Sequence, residues 1–116
     1  MNSIRNKVNL LGNLGKAPQI KNVGDSVVMN VPMATNWTKK NTDGTTEQET
    51  TWHNLVAYGK VANMFEAMCK LGTSVAVEGR LVSRSYVDKN GSKRFITEVL
   101  VREFLVLSNG NNWEES

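Results

Sequence analysis

The sequence predicts an all-β domain: a small closed barrel of five strands with one helix after the third. Three observations carry this. Apolar and polar residues alternate in repeated stretches along the chain, as half-buried strands require. Only one stretch, residues 60–71, shifts to helical spacing. Gly79 interrupts a long alternating run, the kind of break with which a strand turns a barrel corner.

The elements follow in order. Residues 4–11 hold Ile4, Val8, Leu10 and Leu11, and Gly12-Asn13-Leu14-Gly15 reads as a turn. In 26–35, Val27, Met29, Val31 and Met33 share one face; Pro32, which cannot donate to a ladder, is expected at a strand edge or bulge. Residues 36–50 are polar and aperiodic, so a long exposed loop or splayed hairpin is expected, with Trp37 its only large apolar side chain. In 51–59, Trp52, Asn54, Val56 and Tyr58 share one face, and His53, Leu55 and Ala57 the other. The helix over 60–71 has the stripe Val61, Met64, Phe65, Met68 and Leu71, with Lys70 suited to its C-terminal dipole and Gly72 to its C-cap. Residues 73–87 alternate again, with Arg80, Val82, Arg84 and Tyr86 in phase. Asp88-Lys89-Asn90-Gly91-Ser92 signals a hairpin, residues 93–108 pair back, and 109–116 read as a flexible tail after a single domain spanning 1–108. Three strands, a helix and two strands is the order of the OB-fold Greek-key barrel.

Composition sets the function classes. The chain has 116 residues, 40% hydrophobic and 22% charged, as a soluble globular domain does. No run approaches the roughly 20 apolar residues of a spanning helix, so no membrane partner is expected. The N-terminus has no signal-peptide core, and with the lone Cys69 this points to a cytoplasmic protein. Fourteen Lys and Arg against eleven Asp and Glu give a net charge of +3, which permits a polyanionic partner. Arg80, Arg84, Lys89, Lys93 and Arg94 face only Asp88 between residues 80 and 94, so the positive charge is concentrated there.

Catalysis has no support. The chain lacks a nucleophile motif, a phosphate-binding glycine loop and a spaced acidic cluster. One His and one Cys give no metal site, no cofactor is expected, and His53 reads as a packed or interface residue. Cys69 reads as a partly buried thiol and Met29, Met33, Met64 and Met68 as core fillers. The aromatics are more informative. Trp37 sits among polar residues, Trp52 and Tyr58 share a strand face, and Tyr86 alternates with arginines. That is poor core design, but it suits stacking of unpaired bases while cations follow the phosphates.

In the order and spacing of its motifs the chain resembles the bacterial single-stranded DNA-binding proteins of the homotetrameric OB-fold type. These motifs are Asn6-Lys7-Val8 with Gly12-Asn13-Leu14-Gly15; Met33-Ala34-Thr35 leading to Trp37; Thr51-Trp52-His53 with Tyr58-Gly59-Lys60; Val77-Glu78-Gly79-Arg80-Leu81; and Thr97-Glu98-Val99. The resemblance spans about residues 4–107. It implies base stacking on Trp37, Trp52, Tyr58 and Tyr86, with Tyr58 where many members have Phe and Tyr86 where many have Trp. Arg5, Lys7, Lys60, Arg84 and Arg94 match basic positions near the nucleic-acid path, and Lys39 and Arg80 are further candidates beside it. His53 matches a histidine at the subunit interface. Asn54 and Ser85 stand where relatives carry basic residues, so stacking is expected to matter more here and phosphate contacts less. The resemblance implies a non-catalytic homotetramer. It would bind single-stranded DNA without strong sequence preference in replication, recombination and repair, in the nucleoid-associated cytoplasm. The chain stops at Trp113-Glu114-Glu115-Ser116 without the family's acidic tip, which puts in doubt the recruitment of replication and repair proteins that the resemblance would otherwise imply. The competing readings are a related OB-fold replication-restart or RNA-binding module, and an adaptor whose exposed aromatics bind protein.

Overall fold

Alternation becomes six strands and one helix in the structure, a computed structural model that describes residues 4–109. The elements are β1 (Val8–Leu14), β2 (Gln19–Val23), β3 (Ser26–Lys40), β4 (Thr46–Tyr58), α1 (Gly59–Met68), β5 (Ser74–Val87) and β6 (Lys93–Ser108). The strand order is β1-β5-β6-β4-β3-β2, and a second pairing of β1 with β3 closes the ring. β4 and β6 run parallel and the other pairs antiparallel. Five strands therefore form the closed OB-fold barrel, with α1 between the third and fourth of them. β2 lies outside the ring and pairs only with β3.

Two expectations need correcting here. The turn expected at Gly12–Gly15 comes later, because β1 runs through Gly12 to Leu14. Gly12 serves close approach: a Cβ there would meet the Ala34 main-chain carbonyl where β1 crosses β3. β2 was not foreseen, because all five of its residues are exposed and leave no alternating face. Pro32, inside β3, lies opposite the break between β1 and β2. Its carbonyl accepts from the Gly15 N–H, so its missing donor faces that break and β4 loses no bond.

Of the two forms expected for residues 36–50, the structure shows the hairpin, and a regular one. β3 and β4 stay in register from Val28↔Tyr58 out to Lys40↔Thr46. Its turn is fixed by Asp43 Oδ1, which accepts from the Thr45 N–H at 2.9 Å, and by Asn41 Nδ2, which donates to Glu47 Oε1 at 3.1 Å. Gly79 behaves as expected. A Cβ there would meet the Leu100 main chain, and the β5–β6 register shifts between Glu78 and Gly79.

Leu14, Met29, Val31, Met33, Leu55, Phe65, Val75, Val77, Val99 and Val101 fill the core with their neighbours. Phe65 plugs one end and packs tilted against Phe104, with ring centroids 4.7 Å apart. The helix is shorter than expected, and its stripe is displaced. Val61, Ala62, Phe65 and Cys69 face inward, while Met64, Met68 and Leu71 are exposed. The C-cap is Cys69, so Lys70 and Gly72 fall beyond the helix. Burial pushes the Cys69 thiol up to about 11, which leaves it inert at neutral pH. Residues 110–116, most of the expected tail, lie outside the described residues.

Candidate nucleic-acid interface

Alternation beyond the core projects the aromatics outward. Trp37, Trp52, Tyr58 and Tyr86 are 72%, 60%, 52% and 46% exposed, too open to serve the core. Trp52 and Tyr58 stand on the outer face of β4, on either side of Asn54. Gly15 lies under Trp52: a Cβ there would come within 2.5 Å of the indole, so a larger residue would displace the ring from this position. Trp37 is paired with Glu49 and shares the phase of Met33, so it stands on the opposite face of the β3–β4 ribbon from Trp52. The structure thus groups Trp52 with Tyr58 and sets Trp37 apart.

Arg84 and Tyr86 occupy the outer phase of β5, paired with Ile96 and Arg94 of β6. Arg84 Nε donates to Glu98 Oε1 at 3.0 Å and Nη2 donates to Glu98 Oε2 at 3.3 Å. Glu98 is 5% exposed, so this is a buttressed fork and not a loose surface pair. The Glu98 hydrogen bond and charge hold the Arg84 guanidinium above its ordinary value, and the Tyr58 and Tyr86 phenols act in the same direction. Arg84 and Tyr86 therefore share one face of β5, with Arg84 held in place by Glu98.

The remaining cations divide by pairing. Lys7 meets Glu78 at 2.9 Å and Arg94 meets Asp88 at 2.9 Å, and each lowers the pKa of its carboxylate through its hydrogen bond. Among the described residues, no carboxylate lies within 4.0 Å of Arg5, Lys16, Lys39, Lys60 or Arg80. Asn6 anchors the N-terminal segment by exchanging two 2.9 Å bonds with the Leu81 main chain, which brings Arg5 and Lys7 beside the Arg80 segment. His53 is half-buried at the root of the β3–β4 arm, with Nε2 2.9 Å from Thr35 Oγ1.

A groove of about 260 Å³ runs across β2, β3, β4, β6 and β5, lined by residues that include Lys16, Asn30, Asn54, Arg84 and Glu98. The sequence reading missed Lys16 and Glu98 as site residues. Lys16 follows a glycine in the unforeseen β1–β2 break. Glu98 stands in the Thr97-Glu98-Val99 motif, but nothing in that motif showed that its carboxylate would hold Arg84. No group of three or more metal-ligating side chains occurs among the described residues.

An OB-fold barrel with exposed aromatics and cations around such a groove defines a binder of single-stranded nucleic acid. Comparison with known proteins makes this specific. The model of the single-strand binding protein family matches residues 5–107. The chain is 38% identical over 105 residues to single-stranded DNA-binding protein 1 of Xylella fastidiosa, covering 88% of this chain and 76% of that protein. It is 39% identical over 105 residues to single-stranded DNA-binding protein 1 of Chlorobaculum tepidum, covering 88% of this chain and 64% of that protein. Among solved structures, the Plasmodium falciparum SSB in complex with ssDNA superposes with a TM-score of 0.80 at 26% identity, covering 89% of this chain and 95% of that one. The chain belongs to the single-strand binding protein family. Its members are DNA-binding proteins and not enzymes.

Proposed function

We propose that this chain holds single-stranded DNA on the outer face of its barrel and along two arms, the outer parts of the β3–β4 and β5–β6 hairpins, without strong sequence preference. The carrying observation is the set of four exposed aromatics on strand faces around a closed core. Bases stack on Trp37, Trp52, Tyr58 and Tyr86, each contributing about 1–3 kcal/mol. Arg5, Lys7, Lys16, Lys39, Lys60, Arg80, Arg84 and Arg94 flank the path and screen phosphates. Trp37 faces away from Trp52, so a strand that uses both crosses the ribbon edge and wraps the arm. The cellular role that fits is protection of exposed strands during replication, recombination and repair in the nucleoid. No helix is long and apolar enough to cross a membrane among the described residues.

A homotetramer fits the remaining surface. Only Asn13 and Leu14 of β1 pair with β3, so the outer edge of Val8–Gly12 is open. Beside it Leu11, Ala76 and Leu105 form a row across three strands, with Leu11 and Leu105 exposed, over a cavity of about 580 Å³. An open strand edge next to an apolar face supports pairing between copies. In this reading His53, bonded to Thr35, braces the arm root at a subunit contact.

Titration with oligo-dT under tryptophan fluorescence tests the binding. Quenching is expected, and it should weaken as salt rises with a log–log slope of about −0.7 per neutralised phosphate. No quenching at low salt would overturn the reading, and a preference for oligo-rU would turn it toward RNA. Light scattering with and without a 35-mer of about tetramer-spanning length reports the assembly, and a monomer mass would remove the homotetramer.

A further inference from the structure

We propose that Phe95 and Lys93 form a further stacking position with its own phosphate contact, on the face of the β5–β6 arm opposite Tyr86. This rests on the single-stranded DNA reading above and deepens it. Beyond Gly79, β5 has left β1, and β6 meets β4 only at Val99 and Leu100. The outer hairpin is therefore a two-stranded ribbon with two open faces. Cross-strand partners stand on the same face. One face carries Arg84 with Ile96 and Tyr86 with Arg94. The other carries Ser83 with Thr97, Ser85 with Phe95 and Val87 with Lys93.

That second face has no structural use for a phenyl ring. Phe95 is 73% exposed, more than Trp37, Trp52, Tyr58 or Tyr86. Its cross-strand partner Ser85 is too small to cover it, and its diagonal neighbour Val87 is exposed as well. Lys93 Nζ stands over the ring 5.5 Å from its centroid, near the outer limit of cation–π attraction. Among the described residues no carboxylate lies within 4.0 Å of Lys93, and none of the residues on this face is acidic. A bare ring beside such a cation complements a base and its phosphate. A base laid on the ring displaces the distant ammonium, which then meets the phosphate. The β3–β4 arm repeats the arrangement, with Trp52 and Trp37 on opposite faces. Neighbouring strands lie about 5 Å apart, so DNA leaving Tyr86 rounds one free ribbon edge to reach Phe95. Stacking needs no particular base, so the contact adds affinity and no sequence preference.

Two measurements on the full chain test this. In the first, a dT strand of about 35 nucleotides carrying 5-iodouracil is irradiated in complex with the wild-type chain, and the adducts are mapped by mass spectrometry. An adduct at Phe95 is expected beside those at Trp52 and Tyr86. Adducts at Trp52 and Tyr86 with none at Phe95 overturn the proposal. The second is fluorescence titration with the plain dT strand. Phe95→Ala should bind about tenfold more weakly, and Phe95→Trp should keep wild-type affinity and add to the quenching. Lys93→Gln should reduce the salt slope by about 0.7. Urea midpoints should stay at the wild-type value, because the ring packs on nothing. Phe95→Ala affinity within about twofold of wild type overturns the proposal. A lighter particle for Phe95→Ala in light scattering without DNA also overturns it, by making this face a contact between copies. Absent quenching of the wild-type chain by oligo-dT sinks instead the DNA reading on which the proposal rests.

Discussion

The barrel and the arms that leave it share the same strands but obey opposite rules. In β3 the inward residues Met29, Val31 and Met33 are fully enclosed, whereas every residue from Asn36 to Lys40 is exposed. β4 reverses this, exposed at Thr46–Trp52 and buried at Leu55–Ala57. In the barrel, side-chain volume decides which residue fits, because interiors are close-packed. In the arms the backbone ladder and a few polar bonds hold the ribbon, such as Thr50 Oγ1 donating to Asn36 Oδ1 at 2.8 Å. Packing constrains the arm side chains little, and that is where Trp37 and Tyr86 stand.

The sharpest way to break this division is to damage each region and read both stability and binding. Phe65→Ala empties the barrel plug and should cost about 3–5 kcal/mol in urea unfolding. Gly79→Ala forces a methyl group against the Leu100 main chain and should cost about 1–3 kcal/mol through overpacking. Trp52→Ala should cost about 1–3 kcal/mol of DNA affinity by fluorescence titration while the melting temperature stays within a few degrees. Trp37→Ala should act the same way, and a stability loss matching that of Phe65→Ala would erase the distinction between barrel and arm.

The smallest effect concerns the β5–β6 turn. The Arg94 bond first, and the Ser92 and Asn90 N–H groups after it, hold Asp88 below the ordinary aspartate range. A carboxylate with a depressed folded pKa contributes stability above its unfolded value and loses it as pH falls through the folded value. Asp88→Asn should therefore lower the melting temperature slightly at pH 7, and the gap should close as the pH drops below the aspartate range. A gap unchanged across that range would show that the charge of Asp88 adds nothing.

The same division explains what was legible. Val27 to Met33, Leu55 with Ala57, and Val75 to Gly79 announced the barrel, because burying one face imposes alternation. β2 and the outer arm strands bury neither face, so nothing in Gln19–Val23 or Asn36–Thr50 had to alternate. The helical stripe misled for a related reason. Met64, Met68 and Leu71 have the right spacing, but the small Ala62 takes the inward position, and spacing cannot tell which of two adjacent stripes faces in. The exposed aromatics could be read as a site because they sat where a core could not use them. The Arg84–Glu98 fork could not, because it joins two strands whose register only the fold supplies.

Barrel closure has a consequence for how the chain reaches its shape. β1 pairs Val8 with Gly79 and Asn13 with Ser74, so the first strand to be synthesised waits for the fifth before it finds most of its ladder. The β3–β4 hairpin, joined by a short turn, can form as soon as it emerges. Non-local closure of this kind places folding on the scale of milliseconds to seconds. For that interval β1 offers two bare edges and an uncovered Leu14, which is buried only once the barrel closes, and this makes the nascent β1 the segment most in need of protection from premature association.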